Sequence, residues 1–160
     1  MTRFALAVAL SSALAAPVAA QDVDALAGKR VVFLGDSITD GGIWDEWFPE
    51  VARNYSLRGA ELLVYPTAIG SEPDHPDFNT EPLWEKVIVA NGISNGTFMV
   101  VPNRWGNEGN ITFYGSSFIS DPYGRILVQA PREGDYALVA DVDLDQRRDW
   151  RRSDQRVLLP

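Results

Sequence analysis

The stretch "RVVFLGDSITDGGIWDEWFPEVARNYSLRGAELLVYP", residues 30–66, decides the fold class. "RVVFLG" (30–35) is a continuous apolar run ended by glycine, the pattern of a strand buried on both faces. Pro49 suits the first turn of a helix, and Phe48, Val51, Ala52 and Tyr55 recur at helical spacing up to the stop signal at Gly59. "AELLVYP" (60–66) is a second buried run. A strand–helix–strand crossover is right-handed and sets its two strands side by side in parallel. The chain is therefore predicted to be α/β, with one mixed sheet and flanking helices. Both strands end at the same sheet edge, where Ser37 follows the first and Thr67 the second. In open α/β sheets that edge is where ligands bind.

Further along, "SEPDHPDFNTEP" (71–82) reads as a Pro- and Asp-rich loop with Thr80 as a helix cap. Trp84, Val87 and Ile88 then form one apolar helical face. "TFMVVP" (97–102) is a third buried strand, "NRWGNEGN" (103–110) a loop, and "ITFYGSSFI" (111–119) a fourth strand rich in β-formers. "DPYG" (121–124) places Pro and Gly where a type I turn wants them, so "RILVQA" pairs back as a hairpin. "DYALVADVD" (135–143) is a further strand, and the Arg-rich tail reads as a solvated helix end.

The start of the chain carries a different signal. Met1-Thr2-Arg3 is a short basic head, "FALAVALSSALA" (4–15) is apolar and uncharged, and Val18 and Ala20 are the small residues before a cut after Ala20. That layout is a secretory signal peptide over 1–20, and the apolar stretch is short against the ~20 residues a membrane span needs. Residues 21–160 are expected to form one domain, secreted or periplasmic. A formal charge of −8 disfavours nucleic acid or an anionic membrane as partner. The sequence has no cysteine, which excludes disulfides, Cys-ligated zinc and thiolate attack within it. It has one histidine, His75, and two lysines, Lys29 and Lys86, so general bases are few. The acidic residues of 71–85 match no Ca²⁺ loop, and neither metal nor cofactor is expected. The expected partner is a small molecule.

Two resemblances bear on function. "RVVFLGDSITDGG" (30–42) resembles the opening block of SGNH/GDSL hydrolases, in which the Gly-Asp-Ser serine is the nucleophile. The resemblance makes Ser37 a candidate nucleophile at a helix N-terminus, where free N–H groups can hold an oxyanion. Such a serine needs a base, and His75 is the only histidine to offer, 38 residues on rather than in a C-terminal Asp-x-x-His block. Ser37 also fits a helix cap, and His75 a solvated loop.

Residues 44–145 resemble the nitrilase, or carbon–nitrogen hydrolase, superfamily, and within it N-carbamoylputrescine amidase-like enzymes. The resemblance rests on "WDEWFPEVARNYSLRGAELLVYPTAIGSEP" (44–73), "LWEKV" (83–87), "NRWG" (103–106), "FYGSSFISDPYGRIL" (113–127) and "DYALVADVDLD" (135–145). It implies half of an α-β-β-α sandwich, with Trp44, Asp45 and Thr67 as substrate-binding pocket wall. It also implies hydrolysis of amide or carbamoyl C–N bonds by a Glu-Lys-Cys triad. The cysteine position falls on Ile43, and the segment supplying the glutamate and lysine has no counterpart here. Loss of a nucleophile from a coupled triad costs on the order of a millionfold. Three readings stand at this point: a C–N hydrolase-like chain of doubtful activity, an exported serine esterase using Ser37, and a non-enzymatic or chimeric sequence. A half-sandwich would also leave one sheet face open, so the chain would form a homodimer through that face, remake a compact single-sheet fold, or be poorly stable.

Overall fold

The computed structural model describes residues 3–9, 31–33 and 49–150. Its elements are, in chain order, β1 (Arg3–Ala9), β2 (Val31–Phe33), α1 (Pro49–Leu57), β3 (Leu62–Val64), α2 (Glu81–Asn95), β4 (Phe98–Val101), β5 (Trp105–Glu108), β6 (Ile111–Tyr114), β7 (Phe118–Ser120), β8 (Ile126–Gln129) and β9 (Ala137–Asp143). The central sheet has five strands in the order β2-β3-β4-β7-β8, parallel through β2, β3 and β4 and antiparallel from there on. The predicted mixed α/β sheet is the one found.

The two parallel crossovers step across the sheet in one direction, so right-handed connections place α1 and α2 on the same face. There Ala52, Trp84 and Ile88 of the helices bury against Leu63, Tyr65, Met99, Val101 and Phe118. Alternate strand residues, Leu62, Val64, Phe98, Val100 and Ile119, face the other way. β9 runs over that second face, and its alternation puts Leu138, Ala140 and Val142 inward. The face expected to lie open is therefore covered at its centre, because β9 leaves the central sheet and packs on it. β9 pairs instead with β1, antiparallel, from Arg3↔Asp143 to Ala9↔Ala137.

Helix boundaries follow local chemistry. α1 begins at Pro49, and its chain reverses at Gly59 with φ 96°, the Ala60 N–H donating to the Tyr55 carbonyl at 3.0 Å. α2 stops at Gly96, which is left-handed at φ 61°, and the Thr97 N–H closes on the Gly92 carbonyl. Thr80 occupies the N-cap of α2 but makes no side-chain cap bond; its hydroxyl pairs with the Tyr114 hydroxyl instead.

Two expectations fail between residues 103 and 119. The expected loop contains strand β5, which forms an antiparallel hairpin with β6, in register from Trp105↔Tyr114 to Glu108↔Ile111. The expected single strand over 111–119 is broken into β6 and β7, since Gly115 (φ 60°) and Ser116 (φ 52°) are both left-handed and turn the chain out of the hairpin into the central sheet. At Gly115 a Cβ would also collide with the Arg132 carbonyl. Gly115→Ala is expected to cost about 3 kcal/mol, the left-handed penalty plus overpacking, read as a fall in the urea midpoint at unchanged m-value.

Candidate functional site

The parallel strands deliver their following loops to one edge, and hydrogen bonds carry the β3–β4 pairing beyond the strands. The Tyr65 N–H donates to the Val100 carbonyl at 2.8 Å, the Thr67 N–H to the Pro102 carbonyl at 2.8 Å, and the Arg104 N–H to the Thr67 carbonyl at 3.1 Å. Thr67 and Asn103 thus face each other in a parallel bridge.

Asn103 is the hub of this edge. Its buried Oδ1 accepts from the Thr67 hydroxyl at 3.0 Å and the Ile69 N–H at 2.9 Å. Its Nδ2 donates to the carbonyls of Ile69 at 3.2 Å and Gly115 at 2.9 Å. Its backbone N–H donates to Ser117 Oγ at 2.9 Å, and the Ser117 hydroxyl donates back to the Asn103 carbonyl at 3.2 Å. One amide side chain therefore spends its donors and acceptor holding together the loops after β3, β4 and β6. Asn103 lies in "NRWG", a segment whose own sequence marks it only as a loop. A buried, doubly bidentate amide is a tertiary fact that no local pattern announces.

Beside this hub lies a cleft of about 580 Å³ between loop residues 76–79 and the β5–β6 hairpin. The Ser71 N–H donates to the Thr112 carbonyl at 2.8 Å, and the Thr112 N–H to Ser71 Oγ at 3.0 Å, fastening loop to hairpin. Phe78, Trp105, Phe113 and Tyr114 supply aromatic walls. The Trp105 indole N–H donates to Asp135 at 2.8 Å. Arg104 stacks over Phe113 at 4.7 Å, and Arg132 lies over Tyr114 at 5.7 Å.

Behind Tyr114 is a polar network. Ser116 Oγ donates to Glu81 Oε1 at 2.5 Å, and Arg132 Nε donates to Glu81 Oε2 at 2.7 Å while Nη2 reaches Asn79 at 3.1 Å. Burial pushes the Tyr114 phenol above its usual value, opposed by the Thr80 hydrogen bond and reinforced by Glu72 and Glu81, with Arg132 acting against them.

Thr67 is at the edge, buried, with its hydroxyl turned to Asn103. His75 is exposed in the loop that leads into the cleft wall, its N–H on the Glu72 carbonyl and its carbonyl accepting from the Phe78 N–H, both at 3.0 Å. Ser37, Ile43, Trp44 and Asp45 lie outside the described residues. Among the described residues no three His, Asp or Glu side chains converge as a metal site, and no helix is long and apolar enough to cross a membrane.

Residues 31–152 match the carbon-nitrogen hydrolase family. The chain belongs to that family. It is 43% identical over 115 residues to the citrullinase of Francisella tularensis subsp. tularensis, covering 69% of this chain and 40% of that one. It is 42% identical over 118 residues to the N-carbamoylputrescine amidase of Arabidopsis thaliana, with the same coverage of 69% and 40%. Its fold is similar to the crystal structure of a carbon-nitrogen hydrolase from Helicobacter pylori G27, with a TM-score of 0.67 and 31% identity over 79% of this chain and 44% of that one. This carbon–nitrogen hydrolase family member spans about 40% of the length of the curated relatives it matches. The Thr67–Asn103 edge and the adjacent cleft lie within the matched residues.

Proposed function

We propose that this chain is a carbon–nitrogen hydrolase-like scaffold that holds a small amide or carbamoyl compound at the Thr67–Asn103 edge, and that on its own it does not perform the family's cysteine attack. The observation carrying this reading is the hydrogen-bonded edge itself, which fixes three loops where an open α/β sheet presents ligands. Similarity to a citrullinase and an N-carbamoylputrescine amidase supports the ligand class. The absence of any cysteine from these 160 residues, with Ile43 where the family resemblance puts the attacking residue, supports the lack of thiolate chemistry.

Incubation with citrulline and with N-carbamoylputrescine is expected to release no ammonia above background, while saturation-transfer NMR detects binding of at least one of them. Ammonia release by the purified chain would overturn the catalytic half of the proposal, and absence of binding the other half. p-Nitrophenyl acetate serves as a third arm: ester hydrolysis abolished by Ser37→Ala would establish the serine esterase reading in its place.

Two further expectations belong to the same proposal. Export through residues 1–20 rests on their basic head, apolar stretch and small residues before the cut, but a cut after Ala20 would remove β1 from its pairing with β9, so N-terminal sequencing of protein recovered from a secreting host decides between a cleaved leader and a retained strand. Self-association through the second sheet face requires β9 to lift from Leu62, Val64, Phe98, Val100 and Ile119. Light scattering on the full chain is therefore expected to give a monomer.

A further inference from the structure

The cleft beside the edge contains groups that the scaffold does not use. Asp77 and Glu133 both line it, both are exposed, and neither has an ion-pair partner among the described residues. Phe78 is 56% exposed and Trp105 37% exposed, so both aromatic side chains keep surface in contact with solvent. The one cation in the lining, Arg132, is already engaged by Glu81 and Asn79. An anionic ligand would have to displace Glu81 from that guanidinium while facing two free carboxylates. The charge left over is negative.

The walls also show which shape of cation they accept. Two guanidinium groups of the chain itself rest on them, Arg104 over Phe113 and Arg132 over Tyr114. A flat delocalised cation stacks on an aromatic face and is more weakly hydrated than an ammonium, so it gives up less on leaving water. We propose that this cleft binds a planar organic cation, a guanidinium or amidinium on a short apolar stem, with Asp77 and Glu133 as counter-charges and Phe78 and Trp105 as stacking faces. The volume of about 580 Å³ suits a small molecule.

The experiment uses the full chain and benzamidine as probe, with acetophenone as a neutral planar analogue that is not an amide, in isothermal titration and saturation-transfer NMR. Benzamidine is expected to bind saturably and acetophenone about tenfold more weakly or worse. The double variant Asp77→Asn, Glu133→Gln is expected to weaken benzamidine about tenfold, as is a rise from low salt to 0.5 M, while the thermal midpoint stays unchanged because both carboxylates are exposed and unpaired. Equal affinity for acetophenone would reduce the cleft to a neutral apolar groove and overturn the proposal. So would an unchanged affinity in the double variant, or no saturable binding. The readout is binding alone and involves no carbamoyl compound, so its failure is distinguishable from failure of the proposed hydrolase-like function.

Discussion

Asn103→Ala lowers stability by about 4 kcal/mol, a large share of what a domain of this size has to lose. Two groups lose their partner outright, the Ile69 N–H and the Gly115 carbonyl, and two more lose one of two bonds, the Thr67 hydroxyl keeping the Pro102 carbonyl at 3.3 Å and the Ile69 carbonyl keeping the Tyr114 N–H at 3.2 Å. These sites are buried or partly buried, so water replaces the lost bonds incompletely, and each unsatisfied group costs about 1–3 kcal/mol. Asn103→Asp separates hydrogen bonding from shape. It keeps the acceptor facing Thr67 and Ile69 but aims a second carboxylate oxygen at two carbonyls. Its penalty at neutral pH should equal or exceed that of alanine, and it should shrink as pH falls through the carboxylate range, where protonation restores one donor. Urea unfolding at two pH values measures both. An alanine variant within about 1 kcal/mol of the parent would show that the three loops hold one another without Asn103.

Trp84→Ala should cost about 3–5 kcal/mol for a different reason. Trp84 is fully buried in the core between the helices and the sheet, edge-on to Phe118 at 5.6 Å between ring centroids and tilted to Tyr114 at 6.3 Å. Alanine leaves a cavity where both rings had a neighbour. Trp84→Phe should cost less than half as much, because its ring keeps the aromatic contacts and the indole N–H it removes has no hydrogen-bond partner among the described residues. If phenylalanine proved as damaging as alanine, packing of the indole's second ring, rather than aromatic burial in general, would set the loss.

Much of the scaffold was legible because one physical rule governed each piece. Continuous apolar runs gave β2, β3 and β4, and crossover handedness gave their parallel order. Pro49, Gly59 and the Asp121–Gly124 turn acted through their own backbone preferences, and the Gly124 N–H does close on the Asp121 carbonyl at 3.0 Å. The reading failed where tertiary contacts override local propensity. "WGNE" is a polar, glycine-containing stretch with little claim to be a strand, and β5 forms because β6 offers a partner in register, with Asn107 Nδ2 reaching the Thr112 hydroxyl at 2.9 Å across it. Ser116 sits in a conformation that its residue type rarely adopts, held there by Glu81 and by the glycine before it, so the break in "ITFYGSSFI" carries no sequence mark beyond Gly115. The candidate site was half visible: Thr67 came from topology, while Asn103 and the aromatic cleft depend on loops whose approach only the folded chain reveals.

The pairing of β1 with β9 has a kinetic side. Arg3 and Asp143 are register partners at opposite ends of the chain, whereas β3, β4, β7 and β8 pair with close neighbours in sequence. Loop-closure entropy makes distant pairings slow to gain, so the central sheet and its helices should assemble before β1 and β9 meet. During synthesis the second face of the sheet then stays bare until residue 143 has left the ribosome. That interval, rather than the finished fold, is when the chain is most exposed to aggregation.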